Sequence, residues 1–370
     1  MRKISVVYIV SEINKSLSFE WIAQSLNKEK YSLKFFLIGK KNSSLARSLK
    51  ELNVEYVEFP FQSKRDLSLI FIKIFFNLLF KRPQVIHTHL FYANIIGLTA
   101  SRLLGIRKRI FTRHHAMVHY NEYPSGLKWD KYFNGIATHI IAISENTRNI
   151  LTTLDKADPK KIHVIHHGFD FEYFSNKDWN KISSLKKKYS PDKASPVIGV
   201  ISRYLKLKGI QYIIPAFKKL QVDFPNAHLI LANTIGNYRS EIVSLLNTLP
   251  PDSYTEIEFE EDLASLYNLF DVYVHVPIDA MSESFGQTYI EALAVGIPSV
   301  FTLSGVAPEF IRHNENALVV PFQQSDAIAE AAKTLLSNNE LRNKLIENGK
   351  QSLASFSLSK MIDKLEEVYE

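Results

Sequence analysis

The chain has 370 residues, a net charge of +7 from 45 Lys/Arg against 38 Asp/Glu, and no cysteine. That length suggests two α/β domains, each with enough chain to bury its own core, and the missing cysteine excludes disulfides, thiolate catalysis and zinc–thiolate sites. Residues 1–183 hold 28 Lys/Arg and 15 Asp/Glu, a net +13, which leaves a net −6 for residues 184–370, so the first half is expected to face an anionic partner.

The N-terminal stretch Met1-Arg-Lys-Ile-Ser-Val-Val-Tyr-Ile-Val10 has an apolar run of only about seven residues before Ser11-Glu-Ile-Asn-Lys15, and reads as a buried strand rather than a signal peptide. A helix from Phe19 to Leu26, a strand from Ser32 to Ile38, a helix from Ser43 to Leu52 and a strand from Glu55 to Phe59 follow. Strand and helix alternate, which predicts a parallel sheet with right-handed crossovers. Leu67 to Phe80 is an apolar run containing Lys73 and flanked by Lys64-Arg65 and Lys81-Arg82. It is too short to span a bilayer, which needs about 20 residues. It is a helix buried in the first domain, one that lays its apolar body on an anionic membrane surface, or one with one face in the core and the other on lipid.

The strand Gln84 to His89 puts His87 and His89 on one face. No third ligand adjoins them in sequence, so they read as polar edge residues and not a metal site. A helix from Ala93 to Leu104 leads to a strand from Arg109 that ends in Thr112-Arg-His114-His115. Trp129, Tyr132 and Phe133 mark a helix before the strand His139 to Ile143, and Ser144-Glu-Asn146 caps the helix after it. In Lys161-Ile-His-Val-Ile-His-His-Gly-Phe-Asp170, Gly168 is expected to supply a positive φ and Asp170 to accept backbone donors. His163 and His166 fall on opposite faces, which argues against a metal cluster with His167. A linker from Ser175 to Lys193, with a basic helix Ile182 to Tyr189, places the domain boundary near 185. The domains are then 1–185 and 186–355, with 356–370 a terminal helix crossing back to the first.

In the second half, the strand that begins at Pro196 delivers Arg203 to its carboxyl end, and the loop after it presents Lys208 before Gly209 and a helix. A planar fork beside a mobile point charge suits a pyrophosphate whose leaving oxygen gains charge. Ala227 to Ala232 and Asp271 to Val276 are strands; the second feeds Ser284-Phe-Gly286, a helix Gln287 to Val295, the stop Gly296-Ile-Pro298 and the strand Ser299 to Thr302. A helix that starts at a glycine after a strand offers unpaired N–H groups to an anion. Glu283 and Glu291 flank that start. Aimed at a phosphate they would repel it, so they are expected to accept hydrogen bonds from hydroxyls, such as those of a ribose and a hexose. A helix covers Asp326 to Leu336, and Phe356 to Tyr369 closes the chain.

Glu283-Ser-Phe-Gly-Gln-Thr-Tyr-Ile-Glu291 resembles the Glu-x7-Glu signature of the retaining GT-B glycosyltransferases of the "glycosyl transferases group 1" (family 4) type. Thr112-Arg-His114 is similar to that family's Thr-x-His, and Ser144-Glu145 also matches. Lys161 to Asp170 resembles its domain-closing turn with His167 in place of Asn, and Arg203 to Gly209 its Gly-Arg-Leu…Lys-Gly motif with Ser202 in place of Gly. The chain departs from the pattern at Ser11 to Ser18, which lacks glycine, and at Asn233-Thr-Ile-Gly-Asn237, where Gly-x-Gly is usual, so no base preference carries over.

The resemblance implies an α/β GT-B fold, two Rossmann-like doubly wound parallel-sheet domains facing across a cleft, the donor on the second and the acceptor on the first. It implies catalytic roles for Arg203, Lys208, Glu283 and His114, and donor binding by Phe285, Gly286, Gln287, Thr288 and Glu291. No cofactor is expected, the UDP- or GDP-sugar being a substrate, and no metal, since the sequence has no Asp-x-Asp. The implied reaction is retaining hexosyl transfer from a nucleotide-sugar donor to a glycan or lipid-linked acceptor in cell-surface polysaccharide or lipopolysaccharide synthesis. It would run in the cytoplasm, peripherally at an anionic inner membrane face and without nucleic acid. The alternative is a non-catalytic sugar-nucleotide or polyanion-binding module on the same scaffold. A nicotinamide enzyme is disfavoured because no Gly-x-Gly-x-x-Gly follows any strand.

Overall fold

The computed structural model describes residues 3–191 and 194–370; residues 1–2 of the expected first strand and 192–193 of the expected linker lie outside the described residues. The chain divides into two compact units, one built from residues up to 169 together with 356–370, the other from 170–355.

The first unit has seven strands: β1 (Ile4–Ser11), β2 (Tyr31–Gly39), β3 (Glu55–Pro60), β4 (Val85–His89), β5 (Lys108–Arg113), β6 (His139–Ala142) and β7 (Ile162–Val164). They lie in the order β3-β2-β1-β4-β5-β6-β7, every pair parallel. Strands covered on both faces read as continuous apolar runs, as Val6 to Val10 does. The order reverses between β1 and β4, so the carboxyl ends of those two strands, Ser11 and His89, flank the switch point where such sheets take ligands.

The second unit has six: β8 (Val197–Ile201), β9 (His228–Ala232), β10 (Tyr254–Ile257), β11 (Val272–His275), β12 (Ser299–Phe301) and β13 (Leu318–Val319). Their order is β10-β9-β8-β11-β12-β13, again all parallel. Its switch point lies between β8 and β11. Those strands feed the loops that carry Arg203 and Glu283.

Three local expectations are corrected. The boundary falls at 169/170 rather than near 185, because the helices Phe171–Ser175 and Trp179–Tyr189 pack with the second unit, where Tyr189 donates to Glu260 at 2.8 Å. The helix expected from Ala93 to Leu104 contains a π turn, Asn94–Leu98. In it Gly97 lies so close to β4 that a Cβ would meet Thr88 Cγ2 at 2.6 Å. Gly168 has no positive φ; glycine is needed there because a Cβ would fall 2.7 Å from Met361 Cβ. The helix Leu358–Tyr369 buries Met361, Ile362, Leu365, Val368 and Tyr369 in the core of the first unit.

Candidate functional site

In the second unit, the turn after β8 is held by backbone bonds from the β9 loop: Ser202 N–H donates to Ala232 and Tyr204 N–H to Ile235. A 3-10 turn, Lys206–Lys208, then ends at Gly209, whose φ is +76° and whose Cβ position lies 1.8 Å from the Val276 carbonyl. Only glycine allows both, and the close approach brings Lys208 over the end of β11.

There Lys208 Nζ makes a direct ion pair with Glu283 Oε1, and His275 Nε2, on the last residue of β11, lies 3.2 Å from the same oxygen. The Glu283 N–H donates to Ser304 Oγ at 3.0 Å. Burial by itself would raise the Glu283 carboxyl, but the Lys208 ammonium and His275 outweigh it and hold the carboxyl at about 2. Burial pushes His275 down, only partly offset by Glu283. Glu283 is therefore an anion fixed by a cation, with its backbone clamped to the loop after β12.

Gly286, with φ +86°, starts the helix Gln287–Val295 as expected, and Gly296, at φ +88°, ends it. The N–H groups of Gln287 and Thr288 have no acceptor among the described residues, as is usual in the first turn of a helix without a side-chain cap. Glu291, one turn in, is buried and accepts from Tyr267 at 2.9 Å. With no cation beside it among the described residues, burial raises its carboxyl to about 7, against the Tyr267 hydrogen bond. The two glutamates thus differ in state although they share a helix start: Glu283 is ionised and Glu291 sits at its midpoint near neutrality.

The expected residues are distributed unequally. Lys208, Glu283, Phe285, Gly286, Gln287, Thr288 and Glu291 all belong to this switch point. Arg203 stands on the same turn, exposed and without an ion pair among the described residues. Lys208 is engaged by Glu283. Sequence reasoning missed His275, Tyr267 and Ser304; a histidine ending an otherwise apolar strand was the one available signal.

His114 lies in the first unit, just past β5, half-buried in a group of aromatic and imidazole side chains. Its Nε2 is 3.1 Å from His89 Nδ1 and its ring stacks on His167 at 5.8 Å. His87 and His89 share a face, as expected, with ring centroids 4.2 Å apart. Burial first, then the neighbouring imidazoles, keep His114 neutral well below its usual range. Beside it is a network that sequence reasoning did not find. Buried Arg113 pairs with Asp130 at 2.7 Å and with Asp155 at 3.3 Å, and His119 Nδ1 lies 2.6 Å from Asp130. His115, His119 and Asp130 come close enough together to hold an ion. Arg113 already supplies the positive charge there.

Comparison with known proteins finds two family models on the chain: "Glycosyltransferase Family 4" over residues 22–173 and "Glycosyl transferases group 1" over 181–352. A capsular polysaccharide biosynthesis glycosyltransferase, CapM, of Staphylococcus aureus is 28% identical over 345 residues, covering 88% of both chains. The N-acetyl-alpha-D-glucosaminyl L-malate synthase of Bacillus anthracis is 23% identical, over 77% of this chain and 74% of that protein. Among solved structures, Anabaena HepE in complex with UDP-glucose superposes with a TM-score of 0.84 at 19% identity, over 98% of each chain. Sucrose-phosphate synthase from Thermosynechococcus elongatus gives 0.81 at 18%, over 100% of this chain and 98% of that one. These likenesses extend to both units and identify the fold as GT-B.

Proposed function

Since the chain belongs to the group 1 glycosyltransferases, we propose that it moves a hexosyl group from a nucleoside diphosphate sugar, with retention of configuration, to a glycan or lipid-linked acceptor in capsular or related polysaccharide synthesis. The observation that carries this reading is the pairing at the β8/β11 switch point: ionised Glu283 held by Lys208 before a helix start with unpaired N–H groups, and Glu291 buried one turn further. A diphosphate suits the helix start and the exposed, unpaired Arg203. Hydroxyls of the sugar suit Glu283, and those of the ribose suit Glu291. UDP-glucose bound to HepE supports a UDP-sugar as donor.

In the proposed reaction the bond from the sugar's anomeric carbon to the diphosphate oxygen breaks, and one to the acceptor oxygen forms on the same face. The acceptor proton passes to the departing phosphate oxygen. Arg203, Lys208 and the Gln287 and Thr288 N–H groups stabilise the charge that grows on the diphosphate, without a metal held by the chain. Glu283 orients Lys208 as well as the sugar. His114 is assigned to the sugar and acceptor side. The protein meets a lipid-linked acceptor peripherally at the cytoplasmic membrane face; among the described residues no helix is long and apolar enough to cross a membrane.

The test is transfer from a panel of labelled nucleotide sugars to glycan and polyprenyl-diphosphate acceptors, with the product's anomeric configuration read by NMR. Inversion would overturn the retaining assignment. Nucleotide binding without transfer to any acceptor would favour a binding module.

A further inference from the structure

The crossover helix Leu67–Lys81 joins β3 to β4 and buries Ile70, Ile74 and Leu78 on the first sheet. Its outer face is also apolar. Leu69, Ile72, Phe76 and Phe80 are 56%, 49%, 49% and 79% exposed, and their 3, 4, 4 spacing sets them in one stripe. Phe76 and Phe80 stack on each other with centroids 6.3 Å apart. An apolar row of this length on a water-facing helix marks an interaction surface.

The charge around the stripe names the partner. Lys64 and Arg65 precede the helix, Lys73 lies along the stripe, and Lys81 and Arg82 end it. None of the five has an ion pair among the described residues. From residue 59 to 121 the chain holds ten Lys/Arg and one acid, Asp66, whose carboxylate is occupied by the N–H groups of Gln62 and Ser63 at 2.9 Å each. Beyond Arg82 opens a cavity of about 520 Å³ lined by Arg82, Arg107 and Lys108, with Glu370, itself paired with Lys30, as its only acid. Exposed Leu103 and Arg102 sit on the neighbouring helix Thr99–Leu103. A second copy of the chain would set two rows of unpaired cations face to face, whereas an anionic surface neutralises them.

We propose that this face docks on an anionic phospholipid leaflet. The helix lies in the interfacial plane with Leu69, Ile72, Phe76 and Phe80 among the upper acyl carbons. Lys64, Arg65, Lys73, Lys81 and Arg82 meet headgroup phosphates, and the Arg82–Lys108 cavity receives a headgroup at the helix end. This specifies the peripheral association proposed above and is independent of the donor chemistry.

The full chain is cosedimented with phosphatidylcholine vesicles, with and without about one-third phosphatidylglycerol, at low and high salt. Each cation near such a surface contributes roughly fivefold in partitioning. Binding is expected only to the anionic vesicles, weakened by salt, lowered more than about 100-fold in Lys64→Gln/Arg65→Gln/Lys81→Gln/Arg82→Gln. It should fall at least about tenfold in Phe76→Ser/Phe80→Ser. Both variants keep the wild-type response to nucleoside diphosphates, which separates failure here from failure of the donor reading. Equal binding to neutral vesicles, or unchanged partitioning in the charge variant, would overturn the proposal. So would a wild-type dimer that becomes monomeric in the Phe76→Ser/Phe80→Ser variant, because the stripe would then belong to a second copy.

Discussion

Replacing Lys208 by alanine removes the ammonium beside buried Glu283 and leaves His275 3.2 Å from its carboxylate. The pair is well shielded, the lysine side chain being 16% exposed and the glutamate 8%. Removing one member of such a pair costs about 3–5 kcal/mol. Each kcal/mol corresponds to about 2–4 °C in a unit of this size, so the transition of the second unit should drop by roughly 6–20 °C at neutral pH. The loss should depend on pH. In the wild type the carboxyl is held at about 2 against burial; without the ammonium, burial dominates and the carboxyl rises toward the range of Glu291, at about 7. A carboxyl raised in the folded state stabilises when protonated, so the variant regains part of its loss as pH falls from 8 to 5. The assay is urea unfolding at both pH values of Lys208→Ala, Glu283→Gln and the double variant. If the single effects add to within about 0.5 kcal/mol, or the variant gains nothing at pH 5, the pair is not coupled as described.

Glu291 should show the same linkage in the wild type. Its folded value is raised to about 7 from the usual 4.5, so its contribution is complete below 4.5 and is lost as pH rises through 7. The stability difference between wild type and Glu291→Gln should therefore shift by ~3 kcal/mol between pH 4.5 and 8, and a flat difference would remove the buried, unpaired carboxyl from the account. Arg203→Ala, at an exposed and unpaired side chain, should change unfolding free energy by less than about 0.5 kcal/mol. Its kcat/KM should nevertheless fall roughly 10- to 150-fold, the worth of one charged hydrogen bond, and unchanged turnover would dissociate Arg203 from the diphosphate. Asp130→Asn leaves Arg113 with Asp155 alone and should destabilise the first unit by about 3–5 kcal/mol in denaturant titration; a loss below 1 kcal/mol would show that the network is not closely coupled.

Much of the fold was legible because parallel sheets write themselves as buried runs alternating with helices. The helix Gln287–Val295 was read to the residue, since a glycine starts it and Gly296 ends it. The split of the chain at 169/170 was not legible: the basic composition of Trp179–Tyr189 marks a solvated face and says nothing of which sheet its buried Ile182 and Leu185 join. Gly168 misled because a turn glycine and a close-packed glycine look alike in sequence. At the site, local spacing revealed Glu283 and Glu291, but partners separated by many residues were hidden. Lys208 reaches Glu283 across 75 positions because β8 and β11 are neighbours at the switch point, and the Arg113–Asp130–Asp155 network depends in the same way on tertiary placement. The different states of the two glutamates were equally invisible, since each follows from burial and from the presence or absence of one cation.

The central claim, a nucleoside diphosphate sugar site built on Glu283, Lys208 and Glu291, is tested most directly by unfolding the wild type and Glu291→Ala against UDP, GDP and ADP and their sugars. At 100 times its Kd a ligand should stabilise by about 2.7 kcal/mol. That shift is expected for one nucleotide and its sugar in the wild type, and its loss in the variant. No shift with any nucleotide, or an equal shift in both proteins, would contradict it.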